Sequence, residues 1–265
     1  MTVWHNGILR EGGEISISAY DPAFSGMGAF ETLLASNGQV FQWRAHVERL
    51  ENSLALLSIP APDLSELLRV VAGLLSTNNL QSGEARVRVA ISGSLEQAQN
   101  VIVTATPYER PPEMVTLKTS SNTINETSPL RQAKTLSYAE NWLFRHEAEA
   151  LEVDDVIIGN TSGNLAESSM SNVIIRHEGV LKTPPTSSGC LPGVTRKLLF
   201  QMAPDLREEN ISISSLADAE EIWLCNSLRR LQYATRLDGR EFAAPSYEFH
   251  DLSEALETLI ASGAS

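Results

Sequence analysis

Cysteine is almost absent from the sequence, which contains only Cys190 and Cys225. Two cysteines form no disulfide framework and do not have the spacing of a metal site. The sequence also lacks an apolar run of membrane-spanning length. Its first residues are polar and acidic where a secretion signal needs an apolar core. These absences indicate a reducing compartment, and we expect a cytoplasmic location and no membrane partner.

Positive charge is also scarce, since 20 Lys and Arg residues face 33 Asp and Glu residues, which gives a net charge of −13. This charge adds long-range repulsion toward nucleic acids and anionic membranes. We therefore expect no nucleic-acid partner, and a phosphate-bearing ligand would need a local basic pocket. The 42% hydrophobic content is that of an ordinary folded protein, and 265 residues suffice for two modest domains.

Alternating strand and helix patterns predict an α/β (α+β) fold with two domains. Asn37-Gly38 predicts a hairpin between two apolar strands, and apolar residues recur at helical spacing after Arg44. The proline-rich segment 107–112 cannot continue a central strand. We therefore place an N-terminal α/β domain at 1–108, a linker at 109–113 and a C-terminal domain at 114–265. In the second domain the pattern predicts helices over 137–151 and 246–261 and strands over 156–159, 171–176, 180–182 and 221–226.

Four short segments carry residues suited to one cofactor. Lys134 lies between a polar loop and a predicted helix, and Glu167 lies in a small polar stretch between two predicted strands. Gly193-Val194-Thr195 opens another helix, and Asn226-Ser227 follows a strand. Taken singly, each has an ordinary interpretation as a solvated lysine, a surface carboxylate or a turn.

Together these segments meet the requirements of pyridoxal 5′-phosphate. The Schiff base needs a lysine whose amine pKa can fall, which Lys134 supplies. The pyridine nitrogen needs a carboxylate to stay protonated, which Glu167 supplies. The phosphate needs N–H groups at a helix start, hydroxyls and an arginine. The residues that fit this last role are Arg49, Gly193, Val194, Thr195 and Ser227.

In order and spacing, these segments resemble the sequence blocks of the class IV (fold-type IV) aminotransferases. Residues 28–33, Gly-Ala-Phe-Glu-Thr-Leu, resemble the family's G-x-F-E-T-L strand, and residues 46–50, His-Val-Glu-Arg-Leu, resemble its HxxRL helix. The other matching blocks are Lys134 with Tyr138 and Asn141, Glu167 with Asn172, and Leu-Pro-Gly-Val-Thr-Arg at 191–196. The resemblance covers nearly the whole chain. It implies a pyridoxal-phosphate enzyme with a smaller N-terminal α/β domain and a larger C-terminal domain that has a barrel-like β core.

The resemblance also implies residue roles. Lys134 would hold the cofactor and, once an amino-acid-like substrate has formed the external aldimine, would abstract the substrate's Cα proton. Glu167 would pair with the pyridine nitrogen, and Tyr138 would lie near the ring hydroxyl. The phosphate would be bound by Arg49, Val194, Thr195 and Ser227, and the predicted cofactor site also includes Asn172, Gly193 and Asn226. The family is homodimeric, which implies a homodimer with the site between the domains and partly covered by the other subunit.

The family contains both lyases and transaminases, and the sequence favours the first. Residues 225–228, Cys-Asn-Ser-Leu, and residues 30–33, Phe-Glu-Thr-Leu, resemble 4-amino-4-deoxychorismate lyases, which release pyruvate and leave 4-aminobenzoate. Residues 138–141, Tyr-Ala-Glu-Asn, instead resemble the Y-A-x-N of transaminases, and the loop after Ile91 lacks the arginine-bearing segments of lyases and D-amino-acid transaminases. A transaminase of an L- or D-amino acid, of the branched-chain or D-amino-acid type, is the alternative. A degenerate, non-catalytic cofactor-binding protein is the second alternative.

A substrate that carries a carboxylate needs a cation in the site. The candidates in the sequence are Arg44, Arg131 and Arg230, with Arg229 considered beside them. Phe30 and Thr32 of the G-x-F-E-T-L block are predicted to contact the substrate.

Overall fold

The computed structural model describes residues 1–263, which divide into two compact units. Unit 1 contains Met1–Arg110, Ala133–Tyr138 and residues 258–263, and unit 2 contains Pro111–Gln132 and Ala139–Glu257. The first division falls inside the predicted linker 109–113. Unit 2 differs from the predicted C-terminal domain, which runs unbroken from 114 to 265. Residues 133–138 interrupt it, because they pair with a strand of unit 1.

Unit 1 is built on a six-stranded antiparallel sheet with the order β2-β1-β6-β5-β3-β4. Its strands are β1 (Val3–His5), β2 (Ile8–Arg10), β3 (Gly28–Ser36), β4 (Gln39–Val40), β5 (Glu84–Gly93) and β6 (Ala98–Pro107). Its helices α1 (Trp43–Leu56) and α2 (Leu67–Thr77) are amphipathic, and their apolar residues form one buried core with the sheet. The Asn37-Gly38 hairpin is present, with φ of 48° and 78° at its two residues, as a two-residue turn between antiparallel strands requires.

Strand β5 shows why the sheet of unit 1 has one apolar and one polar face. Val87 and Val89 are buried, whereas Arg86 and Arg88, which alternate with them, are exposed. Side chains alternate between the faces of a strand, so the valines pack into the core and the arginines lie on the opposite face.

Unit 2 contains a nine-stranded mixed sheet with the order β12-β11-β10-β13-β14-β7-β8-β9, and β15 pairs with β14. The strands are β7 (Met114–Ile124), β8 (Asp155–Asn160), β9 (Leu165–Ser168), β10 (Asn172–His177), β11 (Val180–Thr183), β12 (Arg207–Glu208), β13 (Glu221–Asn226), β14 (Arg230–Leu237) and β15 (Arg240–Glu241). The sheet is curled into a half-barrel, which confirms the predicted α/β class with a barrel-like β core.

Three helices accompany the second half of the chain: α3 (Ala139–Ala150), α4 (Val194–Met202) and α5 (Tyr247–Ala261). They lie within two residues of the predicted positions. Strand β9 was not predicted from the sequence. No bounds were predicted for β14, although Asp238-Gly239 predicts a hairpin at its end, and this hairpin joins β14 to β15. Within residues 1–263, no helix combines the length and the apolar character that crossing a membrane would require.

Candidate active site

Lys134 lies in a short segment that extends the sheet of unit 1. The Phe30 N–H donates to the Lys134 carbonyl at 2.9 Å, and the Leu136 N–H donates to the Gly28 carbonyl at 2.8 Å. The Lys134 N–H donates to the Ser53 hydroxyl of α1 at 3.1 Å. Strand β3 and helix α1 therefore both fix the backbone of the lysine.

The glycine that opens β3 is required by this pairing. A Cβ atom at Gly28 would lie 2.4 Å from the Ile91 carbonyl oxygen and 2.5 Å from Leu136 Cδ1. Backbone and side chain approach here too closely for any residue except glycine. The first position of the G-x-F-E-T-L block thus has a steric role beside the lysine segment.

Four side chains of unit 1 form what we call the lysine cluster: Phe30, Arg88, Lys134 and Tyr138. The Phe30 and Tyr138 rings meet edge to face, with centroids 5.1 Å apart. Lys134 Nζ lies 4.5 Å from the Phe30 centroid and 5.1 Å from the Tyr138 centroid. Two rings at this distance attract an ammonium group and displace water from it. The lysine amine is therefore held in one place and partly desolvated, as a nucleophilic lysine must be.

Arg88 joins the lysine cluster from β5, and it belongs to none of the sequence blocks that predict the site. Its guanidinium carbon lies 3.9 Å from the Phe30 centroid, and the residue lies opposite Thr32 in the β3–β5 register. Partial burial lowers the pKa of Arg88, while the nearby Tyr138 raises it and Arg86 lowers it. The strict alternation of arginines and buried valines along β5 is the pattern that would have placed Arg88 on the Phe30 face.

The G-x-F-E-T-L and HxxRL blocks meet at a buried carboxylate. Arg49 donates from Nε and Nη2 to the two carboxylate oxygens of Glu31, at 2.8 and 2.7 Å. His46 Nδ1 lies 2.7 Å from Glu31 Oε2. Burial alone would raise the pKa of Glu31, but the charges and hydrogen bonds of Arg49 and His46 lower it to about 2. The arginine predicted to bind phosphate is therefore oriented by a two-point contact with Glu31.

His46 completes this arrangement as a neutral donor. Burial is the largest influence on its pKa and lowers it below 6.5, against the opposing effect of Glu31. A neutral imidazole has one N–H, and because Nδ1 faces a carboxylate, Nδ1 must carry it.

Glu167 lies on β9 in unit 2, and both of its carboxylate oxygens have donors. Oε2 accepts a hydrogen bond from the Leu191 N–H at 2.9 Å, and Oε1 accepts one from Arg131 Nη2. The Glu167 side chain is 8% exposed. Arg131, which was predicted as a substrate cation, is thus placed against the predicted cofactor carboxylate.

The loop after Leu191 leads into α4, whose first turn can receive an anion. The helix starts at Val194, and its N-cap residue Gly193 has no side chain with which to cap it. A Cβ at Gly193 would lie 1.9 Å from Asn172 Oδ1, and Asn172 Nδ2 donates to the Leu191 carbonyl at 2.8 Å. An uncapped helix start presents backbone N–H groups, which is the donor set that a phosphate prefers. Thr195, 3% exposed, adds a hydroxyl to that turn.

Asn226 shapes the turn that contains Ser227. Its Oδ1 accepts from the N–H groups of Leu228 and Arg229 at 3.0 and 2.7 Å. Its Nδ2 donates to Ser171 Oγ at 2.9 Å. The Asn226 side chain is therefore engaged in holding the loop, and Ser227 is the neighbouring hydroxyl of the turn.

The other predicted substrate cations are placed differently. Arg44 is exposed at the start of α1. Arg230 is buried, with its Nε 3.2 Å from Glu257 Oε1. Arg229 Nη1 lies 3.6 Å from the buried Asp155 Oδ2. The carboxylates beside Arg229 and Arg230 make both less suited to a substrate anion than Arg88.

The predicted site residues fall into two groups, one in each unit. Unit 1 holds Phe30, Thr32, Arg44, Arg49, Lys134 and Tyr138. Unit 2 holds Arg131, Glu167, Asn172, Gly193, Val194, Thr195, Asn226, Ser227 and Arg230.

A family model described as amino-transferase class IV matches residues 28–237. The chain belongs to the class IV aminotransferases. It is 27% identical to an aminodeoxychorismate lyase of Bacillus subtilis, over 93% of this chain and 90% of the relative. It is 29% identical to a bifunctional aminodeoxychorismate lyase / D-amino acid transaminase of Mycobacterium tuberculosis, over 91% of this chain and 92% of the relative. A branched-chain aminotransferase from Thermoproteus uzoniensis, crystallised with norvaline, is 26% identical and superposes with a TM-score of 0.91, covering 100% of this chain and 96% of that chain.

Class IV aminotransferases depend on pyridoxal phosphate, and this class IV enzyme therefore uses it as its cofactor. The residues present fit the group. In unit 1, Lys134 is an amine held against two aromatic rings. In unit 2, Glu167 is a nearly buried carboxylate, and the start of α4 has a glycine where a Cβ would collide with Asn172.

Proposed function

We propose that this class IV aminotransferase is a 4-amino-4-deoxychorismate lyase. The observation that supports this most directly is the turn at residues 226–229. The segment 225–228, which resembles the lyases, forms a tight turn that the Asn226 side chain holds with its amide oxygen and its amide nitrogen. The lyase named in Bacillus subtilis and the bifunctional lyase named in Mycobacterium tuberculosis support the same assignment.

When bound, pyridoxal phosphate supplies an electron-withdrawing ring that stabilises negative charge at the substrate's α-carbon. Lys134 would hold the cofactor and, after the substrate amine displaces it, would take the proton from that carbon. Glu167 would keep the ring nitrogen protonated. Loss of the proton and cleavage of the C–O bond to the pyruvate unit leave the aromatic ring of 4-aminobenzoate. The departing enolate takes up one proton at carbon to become pyruvate, which balances the proton that Lys134 removed.

Arg88 is the cation that we propose for the substrate carboxylate. Its guanidinium lies in the lysine cluster, 3.9 Å from the centroid of the same Phe30 ring that Lys134 approaches. An arginine binds a carboxylate through two parallel hydrogen bonds, so it fixes orientation as well as charge. The contact with Phe30 limits the positions that the guanidinium can take.

Arg88→Gln should lower kcat/KM by about tenfold to a hundredfold, because a hydrogen-bonded charge pair is worth about 1.5–3 kcal/mol. The loss should appear mainly in KM, since the carboxylate is bound in both the ground state and the transition state. Steady-state kinetics with the preferred substrate measure it. Arg86→Gln is the matched control, since Arg86 is exposed two residues away on the same strand. Equal losses in both variants would show a general charge effect and remove Arg88 from the site.

The choice between lyase and transaminase rests on a direct test. The purified holoenzyme is incubated with aminodeoxychorismate, and 4-aminobenzoate and pyruvate are measured in parallel with spectra recorded after single D- and L-amino acids. We expect both products in equal amounts and a yellow cofactor that no amino acid bleaches. A cofactor that one amino acid bleaches and a keto acid restores, with no 4-aminobenzoate formed, would replace the lyase with a transaminase. A cofactor-loaded protein inactive in both assays would be a non-catalytic binding protein.

A transaminase is the second candidate, and Asn141 favours it. This residue belongs to the Y-A-x-N block that resembles transaminases, and its Nδ2 donates to the Ser169 carbonyl at 3.1 Å. The contact ties helix α3 to the segment that follows Glu167. The Thermoproteus uzoniensis structure, named as a branched-chain aminotransferase, supports the same alternative.

A further inference from the structure

Arg131 makes three contacts through three different nitrogen atoms. Nη2 donates to Glu167 Oε1, Nε donates to the Gly189 carbonyl at 2.8 Å, and Nη1 donates to Glu140 Oε2 at 3.1 Å. The Arg131 and Glu167 side chains are only 11% and 8% exposed, whereas Glu140 is 52% exposed. The guanidinium is therefore anchored in a nearly buried position, and its contact with Glu140 is the one open to water.

These contacts leave Glu167 little freedom. One carboxylate oxygen accepts a hydrogen bond from the charged Arg131 guanidinium, and the other accepts one from the Leu191 N–H. A carboxylate held from two directions keeps its orientation.

The same guanidinium joins Glu167 to the loop that precedes α4. Gly189, which accepts from Arg131 Nε, and Leu191, which donates to Glu167, both belong to that loop. Gly189 has φ of 94°, and a Cβ there would lie 2.7 Å from Ile124 Cδ1, so the backbone at the accepting carbonyl is set by local packing. Arg131 thus connects the predicted pyridine contact with the loop that leads into the predicted phosphate contact.

We propose that Arg131 is a positioning residue that fixes the Glu167 carboxylate for the cofactor's ring nitrogen, and that it does not bind substrate. The proposal rests on the proposed function, in which Glu167 faces that nitrogen. Cys190, a titratable group near this carboxylate, does not compete with it as a second anion for Arg131, because its thiol stays protonated. Burial, followed by the charge of Glu167, raises the pKa of Cys190 to about 12.

The test compares Arg131→Gln and Arg131→Lys with the wild-type enzyme and with the control Glu140→Gln. The first measurement is the affinity of each apoenzyme for pyridoxal phosphate. The second is the low-field proton NMR resonance of a ring nitrogen that donates to a carboxylate, recorded on each holoenzyme at neutral pH. Glu167→Gln identifies that resonance by removing it. Circular dichroism establishes that each variant is folded. If Arg131→Gln does not fold, Arg131→Lys is compared with the wild-type enzyme in its place.

We expect Arg131→Gln to bind the cofactor about tenfold more weakly, the loss typical of one hydrogen bond to a charged group. Its resonance should broaden beyond detection, because a loose carboxylate lets water exchange the proton. Arg131→Lys should recover part of both effects, since a lysine restores charge without the fork of donors. Glu140→Gln should match the wild type, because that contact is exposed.

Three results would contradict this expectation, and each would overturn a different claim. A sharp, unchanged resonance and unchanged affinity in Arg131→Gln would overturn the role of Arg131 and leave the proposed function intact. A wild-type holoenzyme without the resonance would overturn the role of Glu167 and, with it, that of Arg131. A wild-type protein that binds no pyridoxal phosphate would overturn the proposed function itself.

Discussion

Lys134→Ala should lose the yellow colour of the covalently held cofactor and reduce turnover by about 10,000-fold. A positioned proton-transfer group contributes about a hundredfold to ten thousandfold, and this variant also loses the covalent attachment. Lys134 is one of four lysines in the sequence, and the other three, Lys118, Lys182 and Lys197, belong to unit 2. Reduction with borohydride followed by peptide mapping therefore identifies the modified residue directly.

Lys182→Ala serves as the control, since this lysine pairs with the exposed Glu209 at 3.3 Å. It should keep the colour and the reducible adduct. An adduct that survives in Lys134→Ala would move the covalent site to one of the lysines of unit 2. Free cofactor that binds Lys134→Ala without an adduct would agree with the assignment, because the phosphate and ring contacts do not need the amine.

Glu31→Gln should destabilise the protein by about 3–5 kcal/mol, the usual loss when one partner of a buried ion pair is removed. The side chain is 2% exposed, and its replacement would remove the charged carboxylate that Arg49 contacts at two points. The change preserves shape, so the loss measures charge and hydrogen bonding more than packing. Urea unfolding at neutral pH measures the difference in the free energy of unfolding. Glu51→Gln, at an exposed position of helix α1, should stay within about 0.5 kcal/mol of the wild type.

The same carboxylate predicts a defined acid sensitivity. The pKa of Glu31 falls from 4.5 to about 2 in the folded state, which corresponds to about 3 kcal/mol. Because the folded-state pKa is the lower one, this stabilisation is present above pH 4.5 and is lost as the pH falls from 4.5 toward 2. The free energy of unfolding of Glu31→Gln should therefore depend less on pH across that window. Parallel pH profiles of the wild type and the variant would exclude this role for Glu31.

Elements with a strong local pattern could be predicted from the sequence, and strands that are short or contain buried polar residues could not. Helix α1 has apolar residues at helical spacing, and the Asn37-Gly38 turn has its own chemistry. Strand β14 instead contains Arg230 and Gln232 in buried positions, which hides its strand character. Strand β9 has only four residues, including Glu167, so it reads as a polar loop. Strand β14 also pairs with the distant β7, whereas β9 pairs with the neighbouring β8 and is hidden by its shortness and polarity alone.

The candidate site divides in the same way. Residue types within recognisable blocks led to Lys134 and Glu167, because their chemistry suits the cofactor. The partner of Arg131 could not be read from the sequence, since Glu167 lies 36 positions away and reaches it only through the fold. Arg88 was missed because it lies outside the sequence blocks that resemble the family. Only the register of β5 against β3 brings it close to Phe30.

The pairing of residues 133–136 with β3 also bears on the order in which the protein is made. When the first 110 residues leave the ribosome, Lys134 and Leu136 have not yet been synthesised. The Phe30 N–H and the Gly28 carbonyl of β3 therefore still lack the backbone groups with which they later pair. Domains made first generally fold first, and an unpaired strand edge invites association with other chains. The same segment therefore closes this edge and brings Lys134, the lysine proposed to hold the cofactor, into place. A nascent unit 1 has no amine with which to capture the aldehyde of free pyridoxal phosphate at this position until the closing segment has been synthesised.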